Sequence, residues 1–335
     1  MKYRIVAEVR EDHPSLMQGK TVYNDYVSRK SMMDFGDALN EIGYDCSFWG
    51  GMQKLLDTYL NHEDVSDSIF INYNYGIPAA FKRGQSPILL ELMNAKYSGA
   101  DPFTALLVND KEYTKKVLRA AGVLSPRSIL TVTSNGLKKR LSQSGISLPL
   151  VVKPNCEGSS LGITKESLCH TYEEAYVVAC NLLPQFGEII IEQYIAGYEC
   201  TVWVIGNPGN YLLVAPLLIS EKGNYFFEQK IFTMEDKANH VREYSLPEEI
   251  LSNEVVEKIK SESRIIFAEL GLRDYARIDF RISGNDIYFI EANALPIFSQ
   301  TSEIGQISKL YGIEYKDICH LVIDGINTRL MSKAN

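Results

Sequence analysis

The sequence lacks the marks of several large classes of protein. Its six cysteines form no C-x-x-C pair and its five histidines show no ligand spacing, which argues against a disulfide framework and against a zinc site. Asp and Glu outnumber Lys and Arg by 42 to 34, and this acidic balance argues against a nucleic-acid partner. The most apolar stretch, residues 211–219, is far shorter than the roughly 20 residues of a membrane helix, and residues 1–12 lack a signal-peptide core. These absences predict a soluble protein of the reducing cytoplasm without a membrane partner.

The chain has the length and composition of a globular protein with more than one domain. It contains 335 residues, of which 45% are hydrophobic. Strand-like and helix-like patterns alternate through its first third, which predicts an α/β domain with a parallel sheet. The predicted segments are 3–9, 31–42, 46–49, 52–60 and 68–73, followed by a helix that begins at Pro87.

The middle and end of the chain show α+β character. A helix capped by Asn109 or Asp110 and ended by Gly122 precedes a region of strands. We predict strands at 148–153, 188–194, 201–206, 211–219, 275–282 and 287–292, helices at 172–183 and 247–270, and a helical tail. Domain boundaries near residues 105 and 215 would divide the chain into 1–105, 106–215 and 216–335.

Two strands near the C-terminus carry the strongest chemical signal. Alternate residues share a face of a strand, so Arg277 and Asp279 lie together, as do Glu291 and Asn293. A three-residue loop at 284–286 would set Asp279 opposite Glu291 and Arg277 opposite Asn293, with Phe289 on the polar face. Facing carboxylates repel unless a cation lies between them, and oxygen donors suit Mg²⁺. An exposed face with solvated charges is the alternative.

Two further segments could bind a nucleotide. Lys153 ends an apolar strand and is followed by a loop with two glycines and with Ser159 and Ser160, which could hold phosphate oxygens. Glu192 ends another apolar strand, and Glu199 follows one short loop later, where it could accept ribose hydroxyls. The alternatives are an ordinary flexible connection for the first segment and a buried strand with a polar turn for the second.

The order of these signals resembles the ATP-grasp superfamily, and within it the D-alanine–D-alanine ligase family. The motifs that carry the resemblance are VVKPNCEGSSLGITK, IEQYIAGYECTVWVIG, ARIDFRI and IEANALP. The resemblance implies an ATP-grasp fold of three domains, with the nucleotide bound between the central and C-terminal domains. It also implies a cytoplasmic carbon–nitrogen ligase that activates a carboxylate, expected to be that of an amino acid, as an acyl phosphate and joins it to an amine. A homodimer is possible.

The resemblance implies a role for each matching residue. Asp279, Glu291 and Asn293 would hold two Mg²⁺ ions, with Mn²⁺ as a possible substitute, and Arg277 would stabilise the reacting acyl group. Glu192 and the backbone of two neighbours would hold adenine, and Glu199 the ribose. The remaining matches are the phosphate-binding Lys111 and Lys153, the γ-phosphate lysine Lys230, the loop residues Ser159 and Ser160, and the adenine neighbours Gln193 and Ile195.

The expected substrate pocket departs from the family pattern. Asn24, or Asp25 after a one-residue shift, stands where the family has a glutamate for the substrate ammonium. Lys82 and Arg83 replace acids, either favouring an anionic substrate or solvating an exposed turn. Ile297 replaces a glycine, whereas Ser302 matches a serine that binds the second substrate's carboxylate.

These differences favour a ligase for other substrates. A genuine D-alanine–D-alanine ligase and a non-catalytic nucleotide-binding regulator are the alternatives.

Overall fold

The computed structural model describes residues 1–13, 26–79, 81–233, 235, 236, 239 and 241–332. The first third forms the predicted parallel sheet, with strand order β2-β1-β3-β4. Its strands are β1 Lys2–Val6, β2 Cys46–Gly50, β3 Ser68–Asn72 and β4 Lys96–Tyr97, and its helices are α1 Arg29–Glu41, α2 Met52–Leu60 and α3 Lys82–Leu92. The Ser28 side chain accepts a hydrogen bond from Ser31 N and so caps α1.

The start of α3 differs from the prediction. The helix begins at Lys82 rather than at Pro87, and Pro87 lies inside it. Proline removes one hydrogen bond of the helix, but burial compensates, because Leu89 and Leu90 pack in the core of this domain. The next helix, α4 (Pro102–Asn109), was not predicted, although Asp101 caps it just before the proline.

The central part is a small antiparallel sheet with helices. α5 (Lys111–Ala120) begins at the predicted cap, because the Asp110 side chain accepts a hydrogen bond from Tyr113 N. The sheet has the order β5-β8-β6-β7. Its elements are β5 Ser128–Thr131, α6 Leu137–Gln143, β6 Leu150–Pro154, β7 Leu168–Cys169, α7 Tyr172–Phe186 and β8 Ile189–Gln193.

The last part is built on a six-stranded sheet whose main path is β12-β10-β9-β13-β14, with β11 paired to β9. The strands are β9 Gly197–Asn207, β10 Asn210–Ser220, β11 Phe226–Phe227, β12 Glu243–Ser245, β13 Asp274–Ser283 and β14 Asp286–Asn293. The helices are α8 Asn253–Glu269, α9 Glu303–Tyr311 and α10 Tyr315–Ser332. α8 starts later than predicted because Ser252 caps it after a short 3-10 turn.

Two packing features bear on the domain prediction. Residue 215 lies within β10, and the chain passes from one sheet to the next between β8 and β9. α10 packs back on the first domain, where Val322 and Ile323 share a core with Leu39. The three-domain division stays a prediction, with its sheets as its physical basis.

The β13–β14 hairpin brings the predicted polar residues together by a route that the sequence did not show. Asp279 pairs with Glu291 and Arg277 with Asn293, as expected. The turn, however, has two residues, because Ser283 pairs with Asp286, and a β-bulge after Phe289 restores the register.

The bulge also changes which side chains share a face. Phe289 is fully buried in the core, so its predicted place on the polar face is wrong. Ile290 lies on the same side as Glu291, since both line the cavity described next. An extra residue in one strand reverses the alternation of side chains beyond it, and this is the physical reason for the correction.

Candidate active site

Two adjoining cavities lie over the β13–β14 hairpin. The small cavity has a volume of about 130 Å³ and is walled by β6, β8 and β13. The large cavity has a volume of about 690 Å³ and is walled by α4, the loop after β6 and the chain after β14. Among the described residues, three line both cavities, namely Arg242, Arg277 and Glu291.

A buried charge cluster forms one end of the small cavity. Lys153 Nζ lies 2.5 Å from Glu192 Oε1, and Lys115 Nζ contacts the other carboxylate oxygen. Burial alone would raise the pKa of Glu192, but the two ammonium groups outweigh it and lower the pKa to about 2. Burial lowers the pKa of Lys115 to about 8, although Glu192 opposes this change. Glu192 is therefore a carboxylate held between two lysines.

Lys115 is a residue that the sequence analysis missed. Its side chain is fully buried, and it lies one helical turn after Lys111 on α5. Residues at this spacing share a helix face, so a lysine four residues after one assigned to phosphate was the available signal.

The walls of the small cavity combine apolar surface with a second ion-paired carboxylate, that of Glu199. Gln193, Ile195 and Ile290 line it, as predicted for the first two. Glu199 also lines it, and its Oε2 lies 2.9 Å from Arg281, while its Oε1 lies 3.3 Å from Arg242. A cavity that combines apolar surface with several placed polar and charged groups is typical of a small-molecule site.

The loop after β6 adopts an unusual backbone and closes over the cavities. Ser159 and Ser160 have φ values of +53° and +57°, in the left-handed region. The Ser160 hydroxyl donates a hydrogen bond of 3.1 Å to the Phe232 carbonyl, so this loop contacts the segment after β11. Gly162 has φ +76°, and a Cβ there would lie 2.7 Å from Pro154 Cγ, so glycine is required.

Two lysines fasten the same loop from other elements. Lys111 Nζ donates a hydrogen bond of 2.5 Å to the Glu157 carbonyl and lies 3.5 Å from Glu291 Oε2. Lys82 Nζ lies 2.7 Å from Glu157 Oε2, and both side chains are largely buried. Lys82 therefore binds the loop after β6 through Glu157 rather than solvating an exposed turn. The α3 N-terminus is thereby joined to the loop by an ion pair.

The predicted metal ligands meet at the junction of the two cavities. Arg277 lies 3.0 Å from Asp279 Oδ2, and the Thr201 hydroxyl donates a hydrogen bond of 2.6 Å to Asp279 Oδ1. Burial raises the pKa of Asp279, Arg277 opposes the rise, and the facing Glu291 carboxylate adds to it. The Asn293 side-chain oxygen accepts a hydrogen bond from Leu295 N. Oxygen donors around a repelling carboxylate pair fit Mg²⁺, so the residues present agree with this ion.

The large cavity is lined by a cation where the family pattern has acids, and by a further acid to which sequence reasoning gave no role. Arg83 is buried, lines the cavity and lies over the Tyr75 ring, 4.0 Å from its centroid. Glu303 lines the same cavity, and its Oε1 lies 3.4 Å from Arg277. Sequence reasoning gave Glu303 no role, and its position directly after the predicted Ser302 was the available signal.

Ser302 and Ile297 also line this cavity, in the chain after β14. The Ser302 hydroxyl donates within its own loop, at 2.8 Å to the carbonyls of Ile297 and Ser299. Ser302 therefore lines the large cavity with its hydroxyl engaged in holding the loop, and its binding of a substrate carboxylate stays a prediction.

One predicted site residue in the described part of the chain lines neither cavity. Lys230 is not among the described residues that line either cavity. Its Nζ lies 3.0 Å from Glu221 and 3.4 Å from Asp236. Asn24 and Asp25 lie outside the described residues.

Comparisons with known proteins agree with this architecture. A family model described as "D-ala D-ala ligase C-terminus" matches residues 128–324, which is more than half of the chain. The D-alanine–D-alanine ligase of Aquifex aeolicus is 28% identical over 311 residues, covering 92% of this chain and 98% of that protein. No helix among the described residues is long and apolar enough to cross a membrane.

Solved structures share the fold over nearly the whole chain. D-alanine–D-alanine ligase from Bacillus anthracis, complexed with ATP, matches with a TM-score of 0.74 at 20% identity over 100% of both chains. VanG D-Ala:D-Ser ligase from Enterococcus faecalis matches with a TM-score of 0.70 at 17% identity, covering 97% of this chain and 99% of that one. The predicted ATP-grasp fold is confirmed. The chain therefore belongs to the D-alanine–D-alanine ligase family of ATP-grasp enzymes.

Proposed function

We propose that this ATP-dependent carboxylate–amine ligase transfers the γ-phosphoryl group of ATP to a carboxylate and then exchanges the phosphate for an amine. The observation that supports it most is the pairing of Asp279 with Glu291 beside Arg277, because Arg277 and Glu291 each line both cavities. A phosphoryl donor in the first cavity and an acceptor in the second would meet there. The four retained groups Arg277, Asp279, Glu291 and Asn293 favour catalysis over a nucleotide-binding regulator.

The small cavity is proposed as the nucleotide site. Ile195 and Ile290 offer apolar surface to adenine, and Glu199 lies where ribose hydroxyls would donate. Lys153 in this cavity, and Lys111 on the adjoining wall of the large cavity, supply positive charge for the phosphates. The loop at Ser159 and Ser160, which lines both cavities, closes over them. Phosphoryl transfer depends on positioning and on charge neutralisation, which these groups provide.

Asp279, Glu291 and Asn293 are proposed to hold two Mg²⁺ ions, and Mn²⁺ should replace Mg²⁺. Bound divalent ions would neutralise phosphate charge during transfer. Thr201 and Arg277 hold the Asp279 carboxylate in place from the protein side. These two contacts fix one ligand before the nucleotide arrives, which lowers the cost of ordering the site.

The large cavity is proposed as the site of the carboxylate and the amine. A carboxylate oxygen would form a bond to the γ-phosphorus while the bond from that phosphorus to the bridging oxygen breaks, and ADP leaves with the electron pair. The amine nitrogen would then bond to the acyl carbon, phosphate would leave, and one proton would be released. Arg277 lies at the junction, where it would stabilise the oxyanion, an effect worth roughly 3–4 kcal/mol per donor in comparable sites.

The carboxylate substrate is proposed to be an amino acid or related acid other than D-alanine. Buried Arg83 and the Arg277–Glu303 pair give this cavity a charge pattern unlike the family motif. A genuine D-alanine–D-alanine ligase is the second candidate, which the named relatives favour. A homodimer, implied only by the resemblance, stays a prediction.

Acid-dependent release of ADP tests the proposal, with hydroxylamine added to trap the acyl phosphate as a hydroxamate. A panel that includes D-alanine, other amino acids and simple dicarboxylates should contain an acid other than D-alanine that gives both signals. Activity with D-alanine alone would favour the second candidate. Hydroxamate from none of these acids, despite ATP binding, would contradict the ligase for this panel of substrates.

A further inference from the structure

Arg242 lies where the two cavities meet, and the sequence analysis gave it no role. It is one of the three described residues that line both cavities, with Arg277 and Glu291. We propose that Arg242 binds the terminal phosphate of ATP and remains on it while the phosphoryl group passes to the carboxylate. The inference rests on the proposed function, because it names a further residue for the same transfer.

Lys230 is the competing cation, since the resemblance gives it the γ-phosphate. Its ammonium is already paired with Glu221 and Asp236, at 3.0 and 3.4 Å. Both cations lie against one ring, because Lys230 Nζ is 5.3 Å and the Arg242 guanidinium 4.4 Å from the centroid of Phe232. Of these two, Arg242 is the one that lines the cavities in the described part of the chain.

The contacts of Arg242 orient its guanidinium and leave donors for a ligand. Stacking on Phe232 fixes the plane of the group, and one nitrogen lies 3.3 Å from Glu199 Oε1. The Nε atom is buried and has no hydrogen-bond partner among the described residues. A buried donor without a partner costs free energy, and a phosphate oxygen would remove that cost.

Glu199 does not need Arg242 to remain neutralised. Its other carboxylate oxygen lies 2.9 Å from Arg281, and Arg281 is itself buried. Arg242 can therefore turn from Glu199 to a phosphate without leaving an unpaired buried carboxylate.

The transfer explains why a fixed guanidinium belongs at this place. As the carboxylate oxygen bonds to the γ-phosphorus and ADP leaves with the electron pair of the broken bond, charge is spread over the three γ-oxygens. No proton moves in this step. A cation held at the junction before reaction stabilises this charge more than it stabilises bound ATP, and so raises the rate.

Calorimetric binding of Mg·AMP-PNP and of Mg·ADP tests the proposal, since the first ligand has a γ-phosphoryl group and the second has none. Arg242→Gln removes the charge, and Arg242→Lys keeps it without the planar fork. Lys222→Gln is the matched control, because Lys222 is an exposed cation in the turn before β11.

Arg242→Gln should weaken AMP-PNP binding roughly tenfold or more and leave ADP binding within about twofold. Arg242→Lys should recover part of the loss, and Lys222→Gln should match the wild type. Turnover of Arg242→Gln should fall by about 10²-fold or more. Intact ADP binding also reports that the variant is folded.

Equal weakening of both nucleotides, or unchanged AMP-PNP binding, would overturn the proposal. So would a loss of discrimination in Lys230→Gln that Arg242→Gln does not show. If the wild-type protein binds neither nucleotide, the proposed function itself fails, and that result differs from every outcome that rejects Arg242 alone.

Discussion

The small and large cavities share one hairpin but differ in which charged residues line them and in what those residues contact. In the small cavity, Glu192 is held between Lys115 and Lys153 in full burial, and each charge has a near partner. In the large cavity, Arg83 lies on an aromatic ring and the Arg277–Glu303 pair lies at the wall. The small cavity holds most of its charges on residues that match the family motifs, which suits a constant ligand, whereas Arg83 gives the large cavity a cation that those motifs do not contain.

The difference teaches where the identity of this ligase is encoded. The groups of the small cavity follow the motif order that the family shares, and we propose that they bind ATP. The groups of the large cavity depart from the family pattern at Arg83 and Ile297, and Glu303 adds a charge to which sequence reasoning gave no role. Changes at the hairpin should therefore abolish reaction with every acid, whereas changes in the large cavity should alter the choice among acids.

The largest effect is expected where the cavities join. Glu291→Gln removes a charge from the proposed metal site, and turnover should fall by about 10³-fold or more because phosphate charge is no longer neutralised. The fold should persist, since Glu291 lies on the site face of β14 rather than in the core. Steady-state ADP release and circular dichroism check this, with Asp286→Asn at the exposed start of β14 as control. Wild-type rates would remove Glu291 from the metal site.

The second effect concerns stability in the small cavity. Glu192→Gln leaves two buried lysines without their carboxylate, so the free energy of unfolding should fall by about 3–5 kcal/mol. Glu173→Gln, which breaks an exposed ion pair with Lys138, should cost no more than about 1 kcal/mol. Urea unfolding measures both, and equal losses would contradict the buried cluster.

The same carboxylate predicts a pH dependence. The pKa of Glu192 falls from 4.5 to about 2 on folding, so the unfolded chain binds more protons in this range. Its stabilising contribution is complete above pH 4.5 and is lost as the pH falls towards 2, by up to about 1.4 kcal/mol per pH unit. Glu192→Gln should lack this contribution to the slope, and an unchanged slope would contradict the assignment.

The third effect separates the cavities directly. Arg83→Gln should raise the KM of the preferred acid roughly tenfold, because a charged contact with that acid is lost in the large cavity. The affinity for ADP should stay unchanged. Arg83→Lys keeps the charge but not the stacked guanidinium on Tyr75, so its KM for the acid should lie between those of the wild type and Arg83→Gln. An equal change for ADP and for the acid would break the distinction between the cavities.

The smallest effect concerns the bulge. Ile290→Ala removes apolar surface from the small cavity, and the affinity for ADP should fall by about three- to tenfold, as expected for losing part of a buried side chain. Ile88→Ala, at an exposed position on α3, is the matched control. No change in ADP affinity would mean that the bulge sets the strand register but does not place Ile290 against the nucleotide.

Sequence reasoning reached much of this site because strand alternation and motif order are local. Arg277, Asp279, Glu291 and Asn293 were paired correctly from their spacing and from the need to bury apolar residues. Sequence reasoning missed the turn length and the bulge. The turn is one residue shorter than predicted and the bulge adds one residue, so the two changes cancel in the strand register and leave no sign in the sequence pattern.

The partners of other residues could not be predicted from local patterns. Its spacing from Lys111 could have singled out Lys115, but its partner Glu192 is 77 positions away and meets it only in the folded chain. Arg242 reaches the cavities because β12 joins the edge of the last sheet at Leu218–Ser220, a pairing that three residues of weak pattern do not predict. Lys82 was noticed as a charge, but its partner Glu157 depends on the contact between two domains.

The most direct test of the central claim is to count Mn²⁺ bound in the presence of AMP-PNP by electron paramagnetic resonance, in the wild type and in Glu291→Gln. The account predicts two ions per chain in the wild type and fewer in the variant, at equal occupancy of the nucleotide. The same number of ions in both proteins, or no nucleotide-dependent ion in the wild type, would contradict a metal site built on the paired strands β13 and β14.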